Sequence, residues 1–200
     1  QILKRKSDDL DTIERYQMIG DQLRRIQGTL RELVDFSRPA NTQASLCDVR
    51  NTVEDALSIA KYYKRRKGKR IVTRYAEGLP TVRVVHDQLV QVFLNLILNA
   101  MDATPEGGTI EISTSLESGW LRINVRDTGH GILEANRNSI FEPYYTTKST
   151  GTGLGLFVCR QLLERESNGQ IDLTETGSDG TTFSVLLTGE NLEDPEDIPS

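Results

Sequence analysis

Residues 90–103 read VQVFLNLILNAMDA, and this stretch gives the clearest indication of how the chain folds. Apolar residues cover most of the circumference of a helix here, which predicts that the helix is largely buried. Burying an unpaired amide costs roughly 1–3 kcal/mol, so any polar side chain on this helix needs a partner. Polar residues nevertheless occur at spacings of 4, 4 and 3, along one line of the helix: Gln91, Asn95, Asn99 and Asp102.

Three environments can supply partners for this polar line. The side chains can face solvent, they can hydrogen-bond one another inside the protein, or they can border a water-filled cleft that holds a charged ligand. An asparagine oxygen can also complete the coordination of a Mg²⁺ that is held mainly by phosphates and water. The helix alone does not choose among the three.

The composition describes a soluble globular chain. Two hundred residues are enough for one domain and an appendage. The net charge of −5 argues against a nucleic-acid-binding surface, which is usually basic, and the basic run at residues 61–70 is interpreted as a solvated helix end. Cys47 and Cys159 are too few for a disulfide framework and fit a reducing cytoplasm. No apolar run reaches the length that spans a bilayer.

The chain divides into three predicted regions. Residues 1–40 contain a helix over 7–37, residues 41–189 form a domain, and residues 190–200 form an acidic tail predicted to be disordered. A polar hinge is predicted over 40–45. The N-terminal helix carries a heptad seam that needs a partner helix; the seam consists of Tyr16, Ile19, Leu23, Ile26, Leu30 and Leu33.

Within residues 41–189, helical and strand patterns occur in mixed order. Helices are predicted from near Asn51 to Gly68, over 87–103 and over 153–166. Strands are predicted over 70–75, 81–85, 109–116, 121–125, 170–176 and 181–188. This order predicts an α+β sandwich with its helices on one face of the sheet.

The motif DTGHGI, residues 127–132, follows the apolar strand LRINV. A carboxylate at a strand end can accept a hydrogen bond from an adenine amino group, and the glycines let the backbone approach a flat base. A plain turn after a strand explains the same letters. In GTTF, residues 180–183, Thr181 is predicted to be the polar residue nearest the cleft.

A second glycine-rich stretch, FEPYYTTKSTGTGLGL, occupies residues 141–156. Its last glycines precede a predicted helix, where free N–H groups and the helix dipole favour a phosphate. Lys148 can add a positive charge. The tyrosines of this stretch, Tyr144 and Tyr145, can either stack on a base or pack against the domain.

Together these motifs resemble a known family. NLILNAMDA, DTGHGI, FEPYYTTK, GTGLGL and GTTF occur in the order and spacing of the ATP-binding domain of bacterial two-component sensor histidine kinases. That domain belongs to a superfamily with gyrase, MutL and heat-shock chaperone ATPases. ELVDFSRP, residues 32–39, is similar to the end of the family's second dimerisation helix. The resemblance implies a Bergerat-type α/β sandwich with a mixed sheet, preceded by a long helix from a dimerisation bundle.

The resemblance also implies cofactors, ATP and Mg²⁺, and residue roles. Asn99 would coordinate Mg²⁺, Asp127 would bind the adenine amino group, and Lys148 would be the phosphate-facing cation of a mobile lid over about residues 138–152. The implied ATP-binding set is Asn95, Asn99, Asp102, Ala103, Asp127, Gly129, Gly131, Ile132, Tyr145, Thr147, Lys148, Gly151, Thr152, Gly153, Leu154, Gly155, Leu156 and Thr181.

Position 95 indicates the type of reaction. Gyrase-like relatives resemble this region but carry a glutamate base there, whereas Asn95 cannot abstract a proton from water. Transfer to a protein acceptor is therefore favoured over rapid hydrolysis; in the family that acceptor is a histidine, followed by a response-regulator aspartate. Two alternatives stay open: a catalytically silent nucleotide- or partner-binding module of the same fold, and an ATP-driven clamp of the gyrase type, which Asn95 disfavours.

The histidines depart from the family pattern. Only His86 and His130 are present, and neither lies in the acceptor motif of the family. His86 is interpreted as structural or surface-exposed, and His130 as a loop residue near the nucleotide. The acceptor helix is therefore expected upstream of Gln1, and no residue of the chain is assigned as catalytic.

The expected partners follow from this assignment. They are ATP, the acceptor-histidine helix of the parent kinase, a response-regulator receiver domain and a second copy bound through the N-terminal helix. Nucleic acid is not expected. The predicted location is cytoplasmic, which is compatible with a membrane-anchored parent.

Overall fold

A computed structural model describes residues 15–16, 18, 43–63, 66–117, 119–148, 151–166 and 169–189. Of the predicted N-terminal helix, Arg15, Tyr16 and Met18 are helical; the remainder and the acidic tail lie outside the described residues. In chain order the elements are β1 (Ser45–Cys47), α1 (Val49–Ala60), β2 (Arg70–Arg74), β3 (Val82–Val84), α2 (His86–Ala103), β4 (Thr109–Glu117), β5 (Trp120–Asp127), a 3₁₀ turn (Glu134–Asn136), α3 (Gly155–Glu166), β6 (Gln170–Gly177) and β7 (Gly180–Thr188).

Five of these strands form one mixed sheet in the order β2-β4-β5-β7-β6. β2 runs parallel to β4, and the other neighbouring pairs are antiparallel. The register places Asp127, at the end of β5, opposite Thr181, near the start of β7. β1 and β3 form a separate two-stranded antiparallel sheet.

The helices cover one face of the mixed sheet, which confirms the predicted α+β sandwich. Alternate strand residues such as Ile110, Ile123 and Val185 are fully buried beneath them. α2 is the central helix, in contact with both α1 and α3. Its Phe93 and Ile97 have no exposed surface, and burying such a side chain contributes about 1.5–3 kcal/mol. The burial predicted from residues 90–103 is therefore confirmed.

The predicted end of the first helix at Gly68 was wrong. α1 ends at Ala60, because the next N–H groups bond three residues back instead of four: Tyr62 to the Ile59 carbonyl and Tyr63 to the Ala60 carbonyl. Gly68, with φ +74, instead lies in the turn before β2. Asp48 caps the other end of α1 by accepting the Arg50 N–H at 2.8 Å.

Two further boundaries differ from the prediction. α3 begins at Gly155 rather than Gly153, because the φ of Gly153 is +73 and lies outside the helical region. The hinge predicted over 40–45 ends in a strand, since Ser45 pairs with Val84 in the β1–β3 sheet. This pairing joins segments far apart in sequence, and a local pattern does not contain it.

His86 and the two cysteines occupy structural positions. His86 begins α2, with Nε2 3.2 Å from Asp55 Oδ2 and Nδ1 3.4 Å from Asp87 Oδ1. Cys47 and Cys159 are buried and free, and burial raises the pKa of the Cys159 thiol to about 12. Among the described residues, no helix has both the length and the apolar character needed to cross a membrane.

Candidate nucleotide-binding site

The polar line of α2 faces the glycine-rich stretch at residues 141–156. The Asn95 Nδ2 amide donates to the Gly155 carbonyl at 3.4 Å. Further along α2, the Asn99 Oδ1 atom accepts a hydrogen bond from Lys148 Nζ at 2.9 Å, and Asp102 Oδ2 lies 2.7 Å from the same nitrogen. The line is thus neither an internal asparagine ladder nor a stripe in contact with solvent alone.

The ammonium group of Lys148 contacts both the Asn99 amide oxygen and the Asp102 carboxylate. An ion pair this close to solvent contributes about 0–1 kcal/mol, so the ammonium group can leave it at little cost. Amide and carboxylate oxygens are also suitable ligands for Mg²⁺. The residues present therefore fit the predicted ion, with an ammonium group held where α2 offers two oxygen ligands.

Asp127 places a carboxylate at the end of β5 with only 3% of the residue exposed. Its Oδ1 accepts the Gly129 N–H at 2.8 Å. Burial raises the pKa of Asp127, while the backbone N–H groups of Gly129 and Thr181 and the nearby His130 partly oppose that rise. The carboxylate is therefore held in a fixed orientation in a largely dry environment. His130 lies close to it, as predicted for a loop residue of this site.

The glycines of DTGHGI are required by backbone packing. A Cβ on Gly129 would lie 2.5 Å from the carbonyl oxygen of Ala103, the last residue of α2. Gly131 has φ +71, and a Cβ there would overlap the carbonyl oxygen of Gly177. The loop therefore packs tightly between the end of α2 and the end of β6. These contacts place it beside the polar line.

The glycine-rich stretch at residues 141–156 leads into α3 beside Asn95. Gly153 adopts φ +73, and a Cβ there would overlap the backbone of Tyr144 and Tyr145. Gly155 begins α3, and the closest atom to a Cβ placed on it is Asn95 Cγ, 4.0 Å away. The N–H groups of the first turn of α3 and the polar line of α2 thus border the same space, where a helix N-terminus favours negative charge.

The domain that holds this site matches a known family. The model of the family described as "Histidine kinase-, DNA gyrase B-, and HSP90-like ATPase" matches residues 84–191. The chain belongs to this ATPase family. The resemblance drawn from the motifs is confirmed.

Among relatives of this ATPase family, the sensor histidine kinase ZraS of Escherichia coli K12 is 29% identical over 171 residues. That alignment covers 86% of the chain but 37% of ZraS. The nucleotide-free catalytic domain of histidine kinase ThkA is 27% identical, with a TM-score of 0.67 over 77% of this chain and 98% of that one. ThkA in complex with the response regulator TrrA has the same fold, at 23% identity and a TM-score of 0.70, over 98% of this chain and 56% of that one.

The lid predicted for this ATPase domain is anchored at its start. Ile140 is buried, and Phe141 packs edge-on against Phe183 with ring centroids 6.2 Å apart. Tyr145 is half-buried against the core, whereas Tyr144 is 73% exposed and has φ +67. Neighbouring tyrosines therefore have different environments, and the exposed one takes the strained conformation.

The remaining predicted residues are distributed around the same site. Ile132 and Leu156 pack against the core, and Thr181 is buried opposite Asp127. Thr147 is exposed next to Lys148. The structure places the other predicted positions along the same stretches, half-buried: Ala103, Gly151, Thr152 and Leu154.

Two threonines at the site were missed by the sequence analysis. Thr146 Oγ1 accepts the Lys148 N–H at 3.1 Å and lies 2.5 Å from a Cβ placed on Gly151. Thr176 Oγ1 accepts the Ile132 N–H at 2.7 Å. Thr146 lies inside the FEPYYTTK motif and could have been included for that reason. Thr176 lies outside every motif, so no sequence signal pointed to it.

Proposed function

We propose that this chain is the ATP-binding catalytic core of a sensor histidine kinase. It transfers the γ-phosphoryl group of Mg-ATP to a histidine on a dimerisation helix outside these 200 residues. The observation that carries the proposal is the meeting of Asn99, Asp102 and Lys148 on the polar line of α2, in a chain of this ATPase family. One turn earlier on the same line, Asn95 contacts Gly155, the first residue of α3. Such a meeting of metal ligands, a cation and free N–H groups suits a metal-bound triphosphate.

Adenine binds at the end of β5 in this proposal. The Asp127 carboxylate accepts a hydrogen bond from the adenine amino group, and its contact with the Gly129 N–H sets its orientation beforehand. Buried polar groups discriminate strongly against a ligand that leaves them unpaired. The site therefore prefers adenine to a base with a carbonyl at that position.

The phosphates lie between α2 and α3. Asn99 would hold Mg²⁺, which neutralises phosphate charge when it is bound. Asn95 and Asp102 flank the triphosphate, and the N–H groups around Gly155 orient it. Lys148 moves from its contact with Asn99 and Asp102 to a phosphate oxygen, which closes the lid. Phosphoryl transfer needs mainly such positioning and charge stabilisation.

The acceptor is proposed to be a histidine supplied by another segment of the parent kinase. His86 contacts Asp55 and Asp87 at the start of α2, and His130 Nδ1 lies 2.8 Å from the Gly131 carbonyl oxygen. Both histidines thus have local contacts within the domain. A receiver domain then takes the phosphoryl group on an aspartate, in line with the ThkA–TrrA complex. We also propose that residues 1–40 bind a second copy of the chain and that the domain acts in the cytoplasm.

The test is phosphoryl transfer with the purified chain. The chain is incubated with Mg²⁺ and γ-labelled ATP, alone and with a separate acceptor-helix fragment, and nucleotide binding and protein-bound label are both followed. We expect ATP binding, no label on the chain alone, and acid-labile label on the fragment. A fragment whose histidine is replaced by glutamine is the matched control.

Other outcomes identify the alternatives. ATP binding without label on the fragment would indicate a catalytically silent nucleotide-binding module. Label on the chain alone would show that it contains an acceptor. Absence of ATP binding would overturn the proposal and leave a partner-binding module of the same fold.

A further inference from the structure

A β-bulge in β6 changes which side chains of the strand face the site. Leu173 pairs with Phe183 and packs against the core. The register then shifts before Glu175, and the next residue, Thr176, pairs with Thr181. In a regular strand, Glu175 would face the core like Leu173, because side chains alternate between the two faces. Thr176 would then face the opposite side. The bulge reverses this order, and Thr176 lies on the same side as Thr181.

On that side, the Thr176 hydroxyl joins two motifs of the site. It accepts the Ile132 N–H at 2.7 Å, at the end of DTGHGI. It also lies 3.4 Å from the Thr181 hydroxyl, in GTTF. Thr181 is in turn the partner of Asp127 across the β5–β7 pair. One side chain thus connects the loop after Asp127 to the strand opposite it.

We propose that Thr176 is a positioning residue of the adenine pocket. Its hydroxyl holds the Ile132 backbone against Thr181, so that Asp127 and Thr181 present their polar atoms in one arrangement before ATP arrives. Such preorganisation raises affinity because less conformational freedom is lost on binding. This inference rests on the proposed function, and the bulge is the device that aims Thr176 at the site.

Valine tests the hydroxyl because it keeps the shape of threonine but cannot accept the Ile132 N–H. Mg-ATP affinity is measured by calorimetry, the transfer rate at saturating ATP with the acceptor fragment, and amide exchange of Ile132 by NMR without nucleotide. For Thr176→Val we expect roughly 5- to 20-fold weaker ATP binding, an unchanged transfer rate at saturation and faster exchange at Ile132. Thr176→Ser should return the ATP affinity and the Ile132 exchange rate to near the wild type.

Thr114→Val is the matched control. The Thr114 hydroxyl also accepts a backbone N–H from a distant segment, that of Ala76 at 2.9 Å, but Thr114 lies in β4 opposite Ile123, away from the adenine pocket. This variant should bind ATP like the wild type. If Thr176→Val does not fold, Thr176→Ala takes its place and the same loss, rescued by serine, is expected.

The outcomes separate the two proposals. Wild-type affinity in Thr176→Val, with ATP bound normally by the wild type, overturns the role of Thr176 alone. Equal loss in Thr176→Val and Thr114→Val also overturns it, because a general loss of stability would then explain both. No ATP binding by the wild type overturns the proposed function, and the role of Thr176 with it.

Discussion

At the residue scale, burial of the Asp127 carboxyl lowers the stability of the folded chain at neutral pH. Burial raises the pKa of its carboxyl in the folded chain above the ordinary value of 3.8. The folded state therefore holds this proton more tightly than the unfolded state does. Between the two pKa values the free energy of unfolding falls as pH rises, and at higher pH the ionised group remains a cost to the folded state.

Replacing Asp127 with asparagine should remove that cost. Asp127→Asn is expected to melt at a higher temperature than the wild type at pH 7, and the difference should shrink as pH falls through the raised pKa and vanish below the ordinary value of 3.8. ATP affinity should fall about 10- to 100-fold, because a charged acceptor is lost. Thermal melts across pH and calorimetry measure both effects. Equal melting temperatures at pH 7 would contradict the burial argument, and equal affinity the adenine role.

Asn95 is proposed to keep hydrolysis slow, because an amide cannot take a proton from an attacking water. We expect Asn95→Glu to hydrolyse Mg-ATP roughly 10- to 100-fold faster without an acceptor, because a carboxylate can take a proton from water. Phosphate release is the measurement. Asn95→Gln, which lengthens the side chain without adding a base, should stay at the wild-type rate. Were Asn95→Glu equally slow, the argument from position 95 would lose its support.

At the element scale, the start of α3 depends on the left-handed backbone of Gly153. Gly153→Ala should weaken ATP binding at least roughly tenfold, because a Cβ there overlaps the Tyr144 backbone and displaces the lid from α2. Gly78 is the control: its φ is +66, but nothing lies within 4 Å of a Cβ placed on it.

Gly78→Ala should therefore show the conformational cost alone, about 1–2 kcal/mol of stability, with normal ATP affinity. Denaturant unfolding and calorimetry on both variants separate strain from displacement of the lid. If both variants bind ATP equally well, the contact of Gly153 with Tyr144 does not position the lid.

At the scale of the whole molecule, one helix serves both the core and the site. The apolar face of α2 packs against the sheet and the other helices, and its polar line faces the start of α3, where the phosphates are proposed to bind. Phe93→Ala should lower the free energy of unfolding by about 3–5 kcal/mol. Saturating ATP, at 100 times its Kd, should return about 2.7 kcal/mol.

Denaturant unfolding with and without Mg-ATP tests this coupling. Leu133→Ala is the control, since Leu133 is 75% exposed and its loss should change stability by about 0.5 kcal/mol at most. A Phe93→Ala variant of wild-type stability would show that α2 is not the central core helix. A variant that ATP does not stabilise would show that the site no longer forms.

The buried helix, the order of the strands and helices along the domain, and the motifs proposed to border the nucleotide could all be predicted from the sequence. These features are local: the apolar periodicity of residues 90–103 and the glycines of DTGHGI are visible in adjacent letters. Motif order then identified the family. The polar line of α2 was likewise visible, although its partner was not, because more than one environment fitted it.

The tertiary structure alone decided which distant groups meet. It brought Lys148 to Asn99 and Asp102, paired Ser45 with Val84, and filled the space beside Gly131 with the backbone of Gly177. It also turned Thr176 toward the site, by a bulge that exists only relative to a paired strand. Local patterns report the preferences of neighbouring residues, whereas register, bulges and contacts between distant segments arise only when the strands and helices pack together.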